Sequence, residues 1–216
     1  EVAREGGQEK IARVFLAFWS RPHPAESSAL VHRILLDEIK RLASNPYDLN
    51  AVVGRTLAPD EASALVKLYS TSLTYVGSRA NGSRIKDTLE SGQVFRVEYT
   101  HNKSTPAHIA QVVSLIENPP PFGSESFLDA LVATNMISHG VDLERINLMT
   151  LDRLPGTVEE YIQASSRAGR QHVGLVVVIL ASYNLRASSV YSRFVEYHDN
   201  LERMVHPVAI NRFARF

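Results

Sequence analysis

Apolar positions change their spacing near residue 70. Before that point Ile11, Val14, Phe15 and Phe18 recur at helical intervals, which predicts an amphipathic helix over residues 8–19, stopped by Arg21-Pro22-His23-Pro24. A second helix is expected from residue 27 or 28 to about 43, with Leu30, Ile34, Leu35 and Ile39 on one side and Asn45-Pro46 as its end. Residues 49–57 fit no period, and Pro59-Asp60-Glu61 opens a third helix reaching about residue 69. From Leu73 onward short apolar runs alternate with helical stretches, the pattern of parallel βαβ units. Strands are predicted at residues 73–76, 94–99, 128–134, 147–151 and 175–180. The last of these, LVVVIL, is apolar at every position, as a central strand covered on both faces requires. Between the strands the sequence predicts a turn over 77–82, a helix from Ser83 or Arg84 to about 90, and a helix capped by Thr105 with Pro106 at its first position, running to about 117. Ser188 or Ser189 caps a long final helix to about 204.

These elements make an α/β fold: a doubly wound, mostly parallel sheet over residues 71–187, preceded by a helical segment at 1–70 and followed by a C-terminal helix and tail at 188–216. In such sheets ligands bind beyond the carboxyl ends of the strands, where Ser78, Thr100, Thr134 and the loop to Asp142 are expected.

One stretch carries candidate chemistry, TVEEYIQASSRAGR at residues 157–170. Thr157 with Glu160 forms a capping box, and Pro155-Gly156 prevents an earlier start, so a helix should begin at Val158. At about 100° per residue Gln163, Arg167 and Arg170 fall within one narrow stripe, while Tyr161, Ala164, Ser165 and Ala168 face the other way. Gly169 marks either a helix end or a place where something approaches the backbone closely. Two planar guanidiniums beside a glycine suit phosphate oxygens; a solvated basic helix end has the same composition.

Bulk composition narrows the field. Lys+Arg 23 against Asp+Glu 23 leaves no net charge, so a nucleic-acid contact must be a local patch. The absence of Cys excludes disulfides, thiolate metal sites and a Cys nucleophile, and agrees with a reducing cytoplasm. No apolar run reaches the roughly 18 residues of a bilayer span. The eight His form no H-x-x-x-H set, so no metal site is expected. There is no G-x-S-x-G elbow, and no G-x-G-x-x-G after a strand. The chain opens on Glu1 rather than Met, which points to a piece of a longer protein.

The pattern Q-x-x-S-R-x-G-R at 163–170 is similar to motif VI of superfamily 2 helicases, with Ser166 where the family has Gly. Residues 131–143 (LVATNMISHGVDL) resemble motif V of the same group, a strand ending in Ala-Thr and a loop closing on Gly-x-Asp. Within the superfamily EYIQASSRAGR, GLVVVIL and SVYSRFVEYHDNLERMVHP look like the helicases of the DISARM anti-phage system, except in the connector between Ala181 and Ser189. The resemblance implies a RecA-like second motor domain of an ATP-dependent nucleic-acid helicase or translocase. The phosphate loop G-x-x-x-x-G-K-[ST] and the Mg²⁺-binding acidic motif are absent, so ATP and Mg²⁺ would be held mainly by an N-terminal RecA-like domain outside this chain.

By the same resemblance Arg167 and Arg170 would be arginine fingers, Gln163 would help order the site, and Gly140 and Asp142 would approach the nucleotide. Thr134, Ser78, Arg79 and Thr100 would contact a nucleic-acid backbone, DNA rather than RNA. Implied partners are that N-terminal domain and subunits of a defence system, with no membrane. For Thr134 a simple turn cap, and for Asp142 a salt bridge to Arg145, remain open. So does a degenerate helicase domain kept as a protein- or nucleic-acid-binding scaffold.

Overall fold

A computed structural model describes residues 2–5, 8–21, 23–45, 47–91, 95–134 and 143–205. Gly140 and Asp142 lie outside the described residues. In chain order the elements are β1 (Val2–Glu5), β2 (Gln8–Ile11), β3 (Arg13–Ser20), α1 (Pro24–Ser44), α2 (Asp48–Val53), α3 (Pro59–Leu68), β4 (Ser72–Tyr75) and α4 (Arg79–Glu90). There follow β5 (Val97–Thr100), α5 (Pro106–Glu117), β6 (Ala130–Ala133), β7 (Leu148–Leu151), α6 (Val158–Ser165), β8 (Gly174–Ala181), α7 (Leu185–Ser192), α8 (Phe194–Asp199) and a 3-10 turn at Leu201–Met204. β1 and β2 pair antiparallel. The other six strands form one sheet in the order β3-β8-β7-β4-β6-β5, parallel at every pairing.

The segment 8–19 is not the expected helix. Arg13–Ser20 is the edge strand β3, in register with β8 from Arg13↔Gly174 to Ser20↔Ala181. In an apolar run this dense a period of two fits as well as 3.6, and the eight-residue pairing with β8 decides between them. Phe15, Ala17 and Trp19 pack on the core, while Val14, Leu16 and Phe18 alternate outward at 43–45% exposure. Residues before 70 therefore build part of the sheet.

Helices cover both faces. On one, Ala25, Ala29 and Leu36 of α1 pack with Ile85 and Leu89 of α4 against Ala130 and Val132. On the other, α5, α6, α7 and α8 bury Val112, Ile116, Tyr161, Ala164, Val190 and Tyr197 against β6, β7 and β8. His32 of α1, fully buried, meets the hydroxyls of Thr74 and Ser72 on β4, and burial lowers its pKa to about 4.

Two helical predictions differ in extent. The stretch 77–82, read as a turn, contains the first turn of α4, because Ser78 Oγ accepts from Asn81 N at 3.3 Å and starts the helix at Arg79. Gly82 fits within that helix because the Tyr99 ring occupies the place of a Cβ, 2.5–2.6 Å away. The long helix expected from 188 or 189 to 204 is broken at Arg193 (φ −132°, ψ 42°), which separates α7 from α8. By contrast α5 begins at Pro106 with Thr105 as its cap, His108 N donating to Thr105 Oγ1 at 3.2 Å, as the sequence predicts. No helix among the described residues is long and apolar enough to cross a membrane.

Candidate functional site

The capping of α6 is half as expected. Glu160 N donates to Thr157 Oγ1 at 3.1 Å, but the Glu160 carboxylate accepts from Gly156 N at 3.1 Å and from Tyr75 Oη at 2.8 Å. Burial, with that carboxylate as acceptor, pushes the Tyr75 phenol above its ordinary pKa. The helix then stops at Ser165, so the predicted stripe of Gln163, Arg167 and Arg170 does not form. Gln163 stays on α6 and is exposed; Arg167 (half-buried) and Arg170 (exposed) lie in the connection to β8.

That connection is held tightly. Gly169 takes φ +76°, and its N–H donates to the Ile146 carbonyl at 2.9 Å. A Cβ there would lie 2.6 Å from Gly174 N and 2.8 Å from the Ala12 carbonyl oxygen. The close approach expected at this glycine is thus made by the protein's own backbone. Arg13 Nε donates to the Ala168 carbonyl at 2.7 Å and Nη2 to that of Ser166 at 3.3 Å. Gln171 donates to Glu144 Oε2 at 2.7 Å, so the chain just after residue 142 runs beside the arginine loop.

Ile146 precedes β7, Gly174 opens β8 and Ala12 precedes β3, so Arg167 and Arg170 sit at the amino-terminal rim of the parallel sheet. Ser78, Arg79, Thr100 and Thr134 sit at the opposite, carboxyl rim. Arg79 is exposed and Ser78 half-buried. Thr100 and Thr134 adjoin each other, Thr134 N donating to the Thr100 carbonyl at 3.2 Å. Their exposures are only 2% and 7%, and neither hydroxyl has a hydrogen-bond partner among the described residues. Thr134 N–H is thereby committed to the sheet.

The same rim holds a cavity of about 340 Å³ lined by Tyr75, Gly77, Asp152, Arg153, Glu160 and Asn184, among others. Asp152, 2% exposed, accepts from Ser28 Oγ at 2.9 Å and Asn81 Nδ2 at 2.8 Å. Burial raises its pKa against the pull of those two donors. Arg153 takes φ +119°, a conformation disfavoured for a side-chain-bearing residue. Arg13 was not legible as a site residue, because its contacts join segments more than 150 residues apart in sequence.

A family model described as the helicase conserved C-terminal domain matches residues 63–172, half of the chain. The chain belongs to that family. As a helicase C-terminal domain it is similar to the DISARM protein DrmA of Bacillus paralicheniformis, 31% identical over 176 residues. That match covers 73% of this chain and 16% of DrmA, so the chain spans about a sixth of that relative. In fold the domain is similar to the DUF1998 helicase MrfA bound to DNA and AMPPNP (TM-score 0.56, 15% identity, 88% of this chain and 23% of that one). It is also similar to S. cerevisiae Dbp5 bound to RNA and ADP BeF3 (TM-score 0.56, 13% identity, 85% and 39%). Its six-stranded parallel sheet between helices is the RecA-like arrangement of these C-terminal helicase domains.

Proposed function

We propose that this helicase C-terminal domain is the second motor half of an ATP-dependent nucleic-acid helicase or translocase that takes part in anti-phage defence. Arg167 and Arg170 are its arginine fingers, reaching the γ-phosphate of an ATP–Mg²⁺ held by an N-terminal RecA-like domain, with Gln163 ordering the site and Gly140 and Asp142 approaching the nucleotide. Phosphoryl transfer is catalysed mostly by positioning and charge neutralisation, which is why two pinned, permanently charged groups matter. The observation that carries the reading is the arginine loop itself, within the family match, fixed by Ile146 and Arg13 and presenting an exposed Arg170.

On the opposite rim, Arg79 and Ser78 make sequence-blind contacts to a strand backbone, joined by Thr134 and Thr100, whose hydroxyls have no partner among the described residues. MrfA bound to DNA and AMPPNP, and Dbp5 bound to RNA and ADP BeF3, support a nucleotide and a strand as the two ligands. Similarity to the DISARM protein DrmA favours a defence complex as partner.

The test is ATP turnover by the intact protein with single-stranded DNA, with single-stranded RNA, and with neither. DNA is expected to stimulate most. Arg170→Ala should lower turnover by about 10³-fold or more while a fluorescent ATP analogue still binds. Turnover near wild type in that variant would remove the finger assignment, and an intact protein without ATPase activity would favour the scaffold reading.

A further inference from the structure

Building on the finger reading above, we infer that Arg13, the first residue of β3, is a positioning residue for the nucleotide reaction. It lies outside the family-matched residues 63–172 and 154 residues before Arg167. One guanidinium spans the carbonyls of Ser166 and Ala168, at 3.3 and 2.7 Å, and those two carbonyls flank Arg167. A planar fork bound at both points fixes the peptide plane that enters Arg167 and the one that leaves Ala168, and so holds Arg167 between two anchored carbonyls. The charge also suits its place, since the last carbonyls of α6 carry the negative end of the helix dipole.

The clamp has a rigid base. Gly174 N donates to the Ala12 carbonyl at 2.9 Å, and β3 stays paired with β8 along all eight residues. Gly169 N, bound to Ile146, holds the far side of the loop. Arg167 is thus gripped from β3 on both sides and, two residues on, from Ile146 ahead of β7, the first from a part of the chain that carries none of the recognised motifs. Lys at position 13 could supply the charge but not the planar, fixed fork.

The intact ATPase provides the test, through strand-stimulated turnover of Arg13→Ala, Arg13→Lys, Arg167→Ala and the double variant, each with a thermal melt. Arg13→Ala should lower kcat by about 10- to 100-fold with KM for ATP changed less than about twofold, because a misplaced group costs rate rather than affinity. Arg13→Lys should recover part of the loss. In the Arg167→Ala background, Arg13→Ala should cost less than about threefold more, since the group it positions is gone. A kcat within about twofold of wild type for Arg13→Ala, or equal losses in both backgrounds, would overturn the inference while leaving the fingers in place. If Arg13→Ala does not fold, reduced kcat in a normally melting Arg13→Lys supports the inference and unchanged kcat overturns it. Wild-type turnover in Arg167→Ala instead defeats the finger reading, and the role of Arg13 falls with it.

Discussion

The amide nitrogen of Gly174 lies 2.6 Å from the point where a Cβ on Gly169 would stand. Both partners are backbone, so neither can rotate away, and the φ of +76° at Gly169 is itself disfavoured for alanine. Gly169→Ala should destabilise the domain by at least about 2 kcal/mol, and displace Arg170 as the strain is relieved. Chemical denaturation measures this directly. A loss under about 0.5 kcal/mol, in the range of surface substitutions, would mean the loop is not pinned.

Among the described residues the buried hydroxyls of Thr134 and Thr100 have no partner, and a buried hydroxyl left so costs about 1–3 kcal/mol. Thr134→Val, close in shape, should be neutral or stabilise by about 1 kcal/mol. On the proposed strand contact, the same change should weaken strand-stimulated ATP turnover. Loss of stability with unaltered stimulation would show that the hydroxyl serves the fold alone.

His32 gives stability a pH dependence whose sign is fixed. Burial holds its folded pKa near 4, whereas the unfolded side chain titrates near 6.5. Between those values the unfolded chain binds a proton that the folded chain refuses, so stability is fully present above pH 6.5 and declines on acidification toward pH 4. The loss amounts to about 3 kcal/mol. Asp152, whose pKa is raised by burial, has the opposite slope just above the ordinary carboxylate range. Urea titrations of wild type and His32→Gln at pH 7, 5.5 and 4.5 separate the two; equal slopes in both proteins would exclude His32 as the source.

Asp152 ties α1, α4 and the end of β7 through Ser28 and Asn81. Asp152→Ala leaves both donors without that acceptor, with Ser28 fully buried, and should cost about 2 kcal/mol. Asp152→Asn, which keeps one acceptor oxygen, should cost less. A fold indifferent to both changes would mean that solvent replaces the carboxylate.

Much of the fold was legible because it depends on local chemistry. The Thr105-Pro106 start of α5, the all-apolar β8 and the Thr157 cap of α6 are each written within a few residues. What could not be read depends on distant partners. The run from Arg13 to Trp19 has the apolar content for either period and becomes a strand through β8, some 160 residues later. The stripe of Gln163, Arg167 and Arg170 failed because Gly169 is drawn into a left-handed turn by Ile146 and the start of β8, ending the helix at Ser165. The candidate residues themselves come from motif, but the separation of the arginines and the threonines onto opposite rims follows only from the parallel topology.

The pairing of β3 with β8 also sets the smallest piece that can stand alone. A polypeptide trimmed to residues 63–172 would begin after β3 and end before β8, leaving β7 as a bare edge and the apolar flank of Met149 and Leu151 open to water. Such a fragment should aggregate. Synthesis from the amino end imposes the same restriction in time, because β3, the earliest-made strand of the six, must wait for β8, the latest, before the sheet can close.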